Sequence, residues 1–224
     1  MRARAARCPP QKASSVAEIV ALVDYGAGNL HSVMNALKTA GAEEVALTSD
    51  PMVVRAADRI VLPGVGSFKA CAEGLRGVPG MVEAMQERVF VGGAPFLGIC
   101  VGMQLLASRG LEHGETPGLD WIAGEVREIE VTDPAIKIPH MGWNDVAPMR
   151  HADGASLIEP GEAYFLHSYH FVADEGEDIT ALTDHGRSVV AAVARDNLIG
   201  VQFHPEKSQT YGLEFLARFL EWRP

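Results

Sequence analysis

Cysteine is scarce in this chain: Cys8, Cys71 and Cys100 are an odd number, far apart, and offer neither a disulfide framework nor the C-x-x-C spacing of a metal site. Such usage suits a reducing compartment, so the expected location is cytoplasmic. Basic charge is also short. Lys and Arg number 19 against 29 Asp and Glu, a formal net charge of −10, whereas neutralising a nucleic-acid backbone takes clustered cations, so that class of partner is excluded. No apolar run is long enough to cross a bilayer. An early glycine-rich turn, Asp24-Tyr25-Gly26-Ala27-Gly28-Asn29, lacks both the Gly-Lys-Ser/Thr ending and the full Gly-x-Gly-x-x-Gly pattern, which removes a nucleotide-phosphate loop. No internal repeat, low-complexity segment or linker divides the chain.

What is present suits one α/β domain. The chain has 224 residues, of which 47% are hydrophobic and 21% charged, enough for a substantial core. Residues 1–17 carry Arg2, Arg4, Arg7 and a Pro9-Pro10 pair but no apolar core of a secretory signal, and are expected to be a disordered N-terminal extension ahead of a single domain over residues 18–224. Ile19-Val20-Ala21-Leu22-Val23 is a continuous apolar run of the kind buried on both faces of a parallel sheet. Leu30, Val33, Met34 and Leu37 then recur at helical spacing until Gly41. Val45 to Thr48 and Arg59 to Leu62 predict two further strands, and the alternation predicts a doubly wound, mostly parallel sheet flanked by helices. Later segments are richer in alternating strands. Tyr211 to Trp222 closes the chain as a packing helix.

In such sheets ligands bind beyond the carboxyl ends of the strands. Two loops there stand out. Pro95 to Leu106 reads as strand, sharp turn and helix, with Cys100 at the turn between Gly98 and Gly102; Gly-x-Cys-x-Gly is a nucleophile elbow with cysteine in place of serine. A thiol at a helix N-terminus is favoured as thiolate, the reactive form, although a small buried core cysteine would satisfy the same local pattern. Pro63-Gly64-Val65-Gly66-Ser67-Phe68 follows the third strand, and its glycines permit backbone N–H groups to be aimed at an anion, or simply a tight turn.

A second signal comes near the end of the chain. His204-Pro205-Glu206 follows the run Leu198 to Phe203, and Pro205 disfavours helix before it, so His204 and Glu206 sit in an extended turn where both can face one site. A thiol on an elbow needs a base, and the base needs a third group to hold its tautomer. Cys100, His204 and Glu206 fill those roles.

With these residues in view, Gly98-Ile99-Cys100-Val101-Gly102-Met103-Gln104 and Gln202-Phe203-His204-Pro205-Glu206 together resemble the class I, triad type of glutamine amidotransferase. More narrowly, the DYGAGN turn, PGVGSF, Pro139-His140-Met141-Gly142-Trp143-Asn144 and Phe165-Leu166-His167-Ser168-Tyr169 are similar to the glutaminase subunit of imidazole glycerol phosphate synthase, over the span from about Val20 to the C-terminus.

The resemblance implies hydrolysis of glutamine to glutamate and ammonia through a Cys100 thioester. His204 would move the protons and Glu206 would orient it. Backbone around Gly64, Val65 and Val101 would hold the oxyanion, and Gly66, Gln104, Glu112, His167, Ser168 and Tyr169 would bind substrate glutamine. The ammonia would pass to a separate (β/α)₈ cyclase subunit in a heterodimer serving histidine biosynthesis, with Asn29, Met141, Trp143, Asn144 and Lys207 at the interface. No metal and no organic cofactor is required. The residues alone leave open another class I glutaminase, a cysteine peptidase of related fold, or a non-catalytic interaction protein.

Overall fold

The computed structural model describes residues 17–149 and 155–224; the expected extension over residues 1–17 lies, apart from its last residue, outside the described residues. The chain runs β1 (Ile19–Val23), α1 (Leu30–Thr39), β2 (Glu44–Thr48), α2 (Pro51–Ala56), β3 (Arg59–Gly64), α3 (Phe68–Gly77), α4 (Met81–Gln86), β4 (Phe96–Cys100) and α5 (Val101–Gln104). It continues through short β5 (Arg109–Gly110) and β6 (Thr116–Pro117), then β7 (Gly124–Glu128), β8 (His140–Pro148), β9 (Gly161–His167), β10 (Tyr169–Ala173), β11 (Ile179–Asp184), β12 (Ser188–Arg195), β13 (Leu198–Val201) and α6 (Gln209–Glu221).

The main sheet has nine strands in the order β2-β1-β3-β4-β13-β12-β11-β8-β9. From β2 through β13 neighbours are parallel, and from β13 to β9 they are antiparallel, so the sheet is mixed and its parallel half is the doubly wound part. The apolar run of β1 is buried from Val20 to Val23, as a strand covered on both faces must be. A second, four-stranded sheet, β10-β7-β5-β6, stands beside it. β9 belongs to the first sheet and β10 to the second, so Ser168 is the single residue at which the chain passes from one to the other.

Register places the chemistry. Gly64 pairs with Cys100 and Val201 with Ile99, so the ends of β3, β4 and β13 come level at one edge. The residues just past Val201 therefore lie alongside Cys100, and side chains level in a parallel pair point to the same face.

Two close approaches tie the elbow down. Cys100 has φ 54°, a left-handed value that a side-chain-bearing residue adopts only under constraint. A Cβ on Gly102 would lie 1.9 Å from the Leu62 carbonyl oxygen, so only glycine lets α5 pack onto β3. At the other end of the site, a Cβ on Gly212 of α6 would meet the Pro205 carbonyl oxygen at 1.9 Å. Arg59, buried, donates from Nη1 to the Phe219 and Trp222 carbonyl oxygens at 3.0 Å each and so holds the C-terminal end of α6. The turn carrying His204 is fixed through that helix.

Gly102→Ala is therefore expected to cost about 1–3 kcal/mol in a denaturant melt, the usual range for overpacking. Gly77→Ala is the control: its added Cβ meets nothing within 4 Å at the end of α3, and stability should hold or rise by up to about 1 kcal/mol. Equal melts for both variants would show that the elbow does not depend on this contact.

Candidate active site

The structure brings the two signals together. Cys100, buried at the end of β4, faces His204 closely enough for the two to interact electrostatically, and His204 Nδ1 lies 2.9 Å from Glu206 Oε1. Carboxylate can only accept, so Nδ1 carries a proton and Nε2 is the nitrogen turned to sulfur. Burial alone would lower the His204 pKa. The hydrogen bonds to Cys100 and Glu206, and the negative charge on each, outweigh that and raise it from 6.5 to about 10. At neutral pH the imidazole is a cation between two acids. The expected helix dipole contributes little, because α5 is only four residues long; the cation that faces the sulfur is His204.

Backbone contacts lock this turn. His204 N–H donates to the Tyr164 carbonyl at 2.9 Å, Ser208 Oγ donates to the His204 carbonyl at 2.7 Å, and Tyr164 N–H donates back to Ser208 Oγ at 2.9 Å. Ser208 is a buried residue that sequence reasoning passed over; only the fold of β9 against the turn reveals it.

A cavity of about 80 Å³ opens over Cys100, lined by Val65, Gly66, Val101, Gln104, Glu112, Leu166, His167, Ser168 and Tyr169. All six residues assigned to substrate binding lie here, with two of the three oxyanion candidates; Gly64 is the neighbour of Cys100 in the sheet. Leu166 was not anticipated. At this size the cavity suits a small polar side chain, far below the several hundred Å³ of drug-sized pockets.

Several of these residues are committed internally. Gln104 Nε2 donates to the Tyr169 carbonyl at 3.0 Å and to Gln202 Oε1 at 2.9 Å, which leaves its own oxygen for a ligand. Glu112 accepts the Phe68 N–H at 2.6 Å, at the start of α3, where negative charge is favoured. His167 has no free nitrogen: Nδ1 lies 2.9 Å from the Tyr169 carbonyl and Nε2 3.1 Å from His140 Nδ1. Any role of His167 toward a ligand is therefore through shape or backbone. Burial, chiefly, pushes His140 down to about 4 and His167 to about 3, so both rings are neutral. Each then has one N–H, and the acceptor-only Tyr169 carbonyl sets the direction: Asn144 Nδ2 donates to His140 Nε2 at 3.0 Å, His140 to His167, and His167 to Tyr169.

The loop Pro63–Gly66 is held from beneath. Tyr25 Oη donates to the Pro63 carbonyl at 2.7 Å and Cys71 Sγ to the Val65 carbonyl at 3.4 Å. Gly66 has φ +100° and open space around its Cα. Of the residues assigned to an interface, Met141 is 66% and Trp143 46% exposed, and Asn29 is exposed. Lys207 Nζ sits 5.8 Å over the Tyr164 ring, which packs T-shaped with Trp143, so Lys207 and Trp143 share one surface; Asn144 is turned partly inward toward His140 and the Asp184 carbonyl.

The family model of class-I glutamine amidotransferases matches residues 21–222. The chain is 55% identical over 207 residues to the imidazole glycerol phosphate synthase subunit HisH of Zymomonas mobilis, covering 92% of this chain and 96% of that one. It is 52% identical over 214 residues to the same subunit of Mesorhizobium japonicum, covering 92% and 99%. Among solved structures, a glutamine amidotransferase superposes with a TM-score of 0.68 at 20% identity, covering 90% of this chain and 97% of that chain. A putative GMP synthase protein from Thermoplasma acidophilum gives 0.63 at 20%, covering 92% and 94%. Those two likenesses speak to the fold alone.

The His204 environment yields a pH test. A histidine whose pKa is raised by folding adds stability that is complete below its unfolded value near 6.5 and is lost as pH rises toward about 10. Glu206→Gln removes one of the two negative partners. Its destabilisation, measured as a difference in Tm from the parent chain, should be full-sized near pH 6 and fade as pH climbs toward 10; a loss constant over that range would mean that Glu206 acts by packing alone.

Proposed function

The chain belongs to the class-I glutamine amidotransferase family, within the HisH subunits of imidazole glycerol phosphate synthase, and from that premise we propose how its residues carry out glutamine hydrolysis for histidine biosynthesis. Residues 18–224 act as one glutaminase domain, working in the cytoplasm. The observation that carries the reading is the buried Cys100–His204–Glu206 chain under a small polar cavity.

Cys100 Sγ attacks the side-chain amide carbon of glutamine. The negative charge that develops on the amide oxygen is met by backbone N–H groups at Val65 and Val101, next to Gly64. His204, already protonated, gives its Nε2 proton to the departing nitrogen, so ammonia leaves and a γ-glutamyl thioester remains on Cys100. The neutral imidazole then takes a proton from water, hydroxide adds to the thioester, and glutamate leaves as thiolate and imidazolium are restored. Glu206 holds the imidazole in the tautomer that presents Nε2 throughout. Gln104, Glu112, Ser168, Tyr169 and Gly66 position the amino-acid end of the substrate, with His167 shaping the wall.

Ammonia in neutral water is mostly ammonium, which is no nucleophile. It is therefore handed on in its neutral form through a dry passage to a second active site, that of a (β/α)₈ cyclase subunit in a heterodimer. The exposed Met141, Trp143 and Asn29, with Lys207 near Trp143, supply that docking surface, Lys207 toward an acidic side chain of the partner. The glycines at 64 and 66 let the Val65 N–H turn toward the substrate only when the partner holds its nucleotide ligand, so glutamine is not hydrolysed idly.

Ammonia release from glutamine, with and without purified cyclase and its nucleotide substrate, tests this reading. Turnover should rise at least tenfold in the complex, and Cys100→Ser should leave less than about one thousandth of it, as for other triad nucleophiles. Synthesis from added ammonia should survive that substitution. Full turnover by the lone chain would remove the gate, and retention of activity by Cys100→Ser would remove the nucleophile.

A further inference from the structure

Gln202 is 0% exposed, polar, and unused by the chemistry above. It follows β13 immediately, and since Val201 is level with Ile99, Gln202 comes level with Cys100 on the neighbouring strand. Its carboxamide spans the gap between the glutamine pocket and the thiol: Gln104 Nε2 donates to Gln202 Oε1 at 2.9 Å, and Gln202 Nε2 lies 3.6 Å from Cys100 Sγ.

The orientation of that amide is forced. The Tyr169 carbonyl can only accept, so the end of Gln104 lying 3.0 Å from it is the amide nitrogen. The same nitrogen faces Gln202, which must answer with its oxygen. What Gln202 then turns to the sulfur is its NH2 group. A neutral thiol is a weak acceptor, whereas a thiolate paired with the His204 cation accepts strongly, and hydrogen bonds to a charged partner are the stronger kind.

We propose that Gln202 is a positioning residue: its amide N–H anchors the Cys100 sulfur as the second donor beside His204, and its oxygen ties that anchor to Gln104 in the glutamine pocket. The inference rests on the reading of Cys100 as the nucleophile. A cysteine side chain turns about one bond, and a single donor leaves it free to swing about that contact. Two donors from different directions hold it where a substrate carbon must arrive, and a small misplacement there is costly in rate. Because Gln104 shares the chain, a ligand that pulls on the Gln104 amide also moves the donor at the sulfur.

Two variants separate this role from core packing. Gln202→Met fills nearly the same volume and loses both polar contacts. Gln202→Glu keeps an acceptor toward Gln104 and turns an oxygen to the sulfur. In each full-length chain, thiolate formation is followed by ultraviolet absorbance and by the rate of alkylation with iodoacetamide across pH, with Cys100→Ala subtracting the other cysteines. A chloroketone analogue of glutamine, applied to the parent chain, reports whether Cys100 is the nucleophile at all.

Both variants should form thiolate at higher pH than the parent and react about tenfold more slowly at neutral pH, the weight of one hydrogen bond to a charged group. In Gln202→Glu the deficit should widen as the carboxyl ionises. Profiles that superimpose on the parent's, with thermal melts unchanged, overturn the proposal; if Gln202→Met does not fold, Gln202→Glu decides. A parent chain whose Cys100 is spared by the chloroketone overturns the nucleophile reading as well. Alkylation of the parent at Cys100 with unaffected variants overturns this inference alone.

Discussion

A histidine held as a cation out of water, between a thiol and a carboxylate, is the constraint around which this molecule is arranged. Burial opposes that charge, and the imidazolium persists only because both acids reach it. The Glu206 contact is local, two residues away across a proline. The Cys100 contact is not, and it needs β4 and β13 side by side with their ends level. The close approaches of Gly102 to β3 and of Gly212 to the Pro205 carbonyl fix the two halves of the pair, so packing with no chemistry of its own sets the geometry in which the charge survives.

A second organising element is one backbone carbonyl. The Tyr169 oxygen receives both Gln104 and His167, and through them it assigns donors and acceptors along two branches. One branch runs through Gln202 to the sulfur. The other passes His167 and His140 to Asn144 on β8, the strand that also carries exposed Met141 and Trp143. Tyr169 sits where the chain leaves the nine-stranded sheet for the small one, so both networks meet at the seam between the sheets. Every polar group on these paths is buried or half-buried, and a reversed amide along them would set acceptor against acceptor or donor against donor.

Much of this was legible in the residues. The apolar run of β1 reads as a buried strand because a continuous apolar stretch has few other solutions, and Gly98 and Gly102 around Cys100 report a turn that larger residues could not make. His204 and Glu206 are close in sequence, so their pairing needs only a turn. The four-residue α5 was harder to foresee: the apolar residues after Gln104 serve the core, and their backbone closes in turns where a longer helix was expected.

What sequence alone determined, then, was whatever depends on neighbours along the chain: the strand runs, the elbow, the His-Pro-Glu turn and the family that these motifs mark. Tertiary structure decided the rest. The contacts of Gln202 with Cys100, of Ser208 with Tyr164 and of His140 with His167 show no signal in the sequence around them, because the partners are brought level from distant parts of the chain. A hydrogen bond depends on position to a fraction of an ångström, and only the register of one strand against the next supplies it.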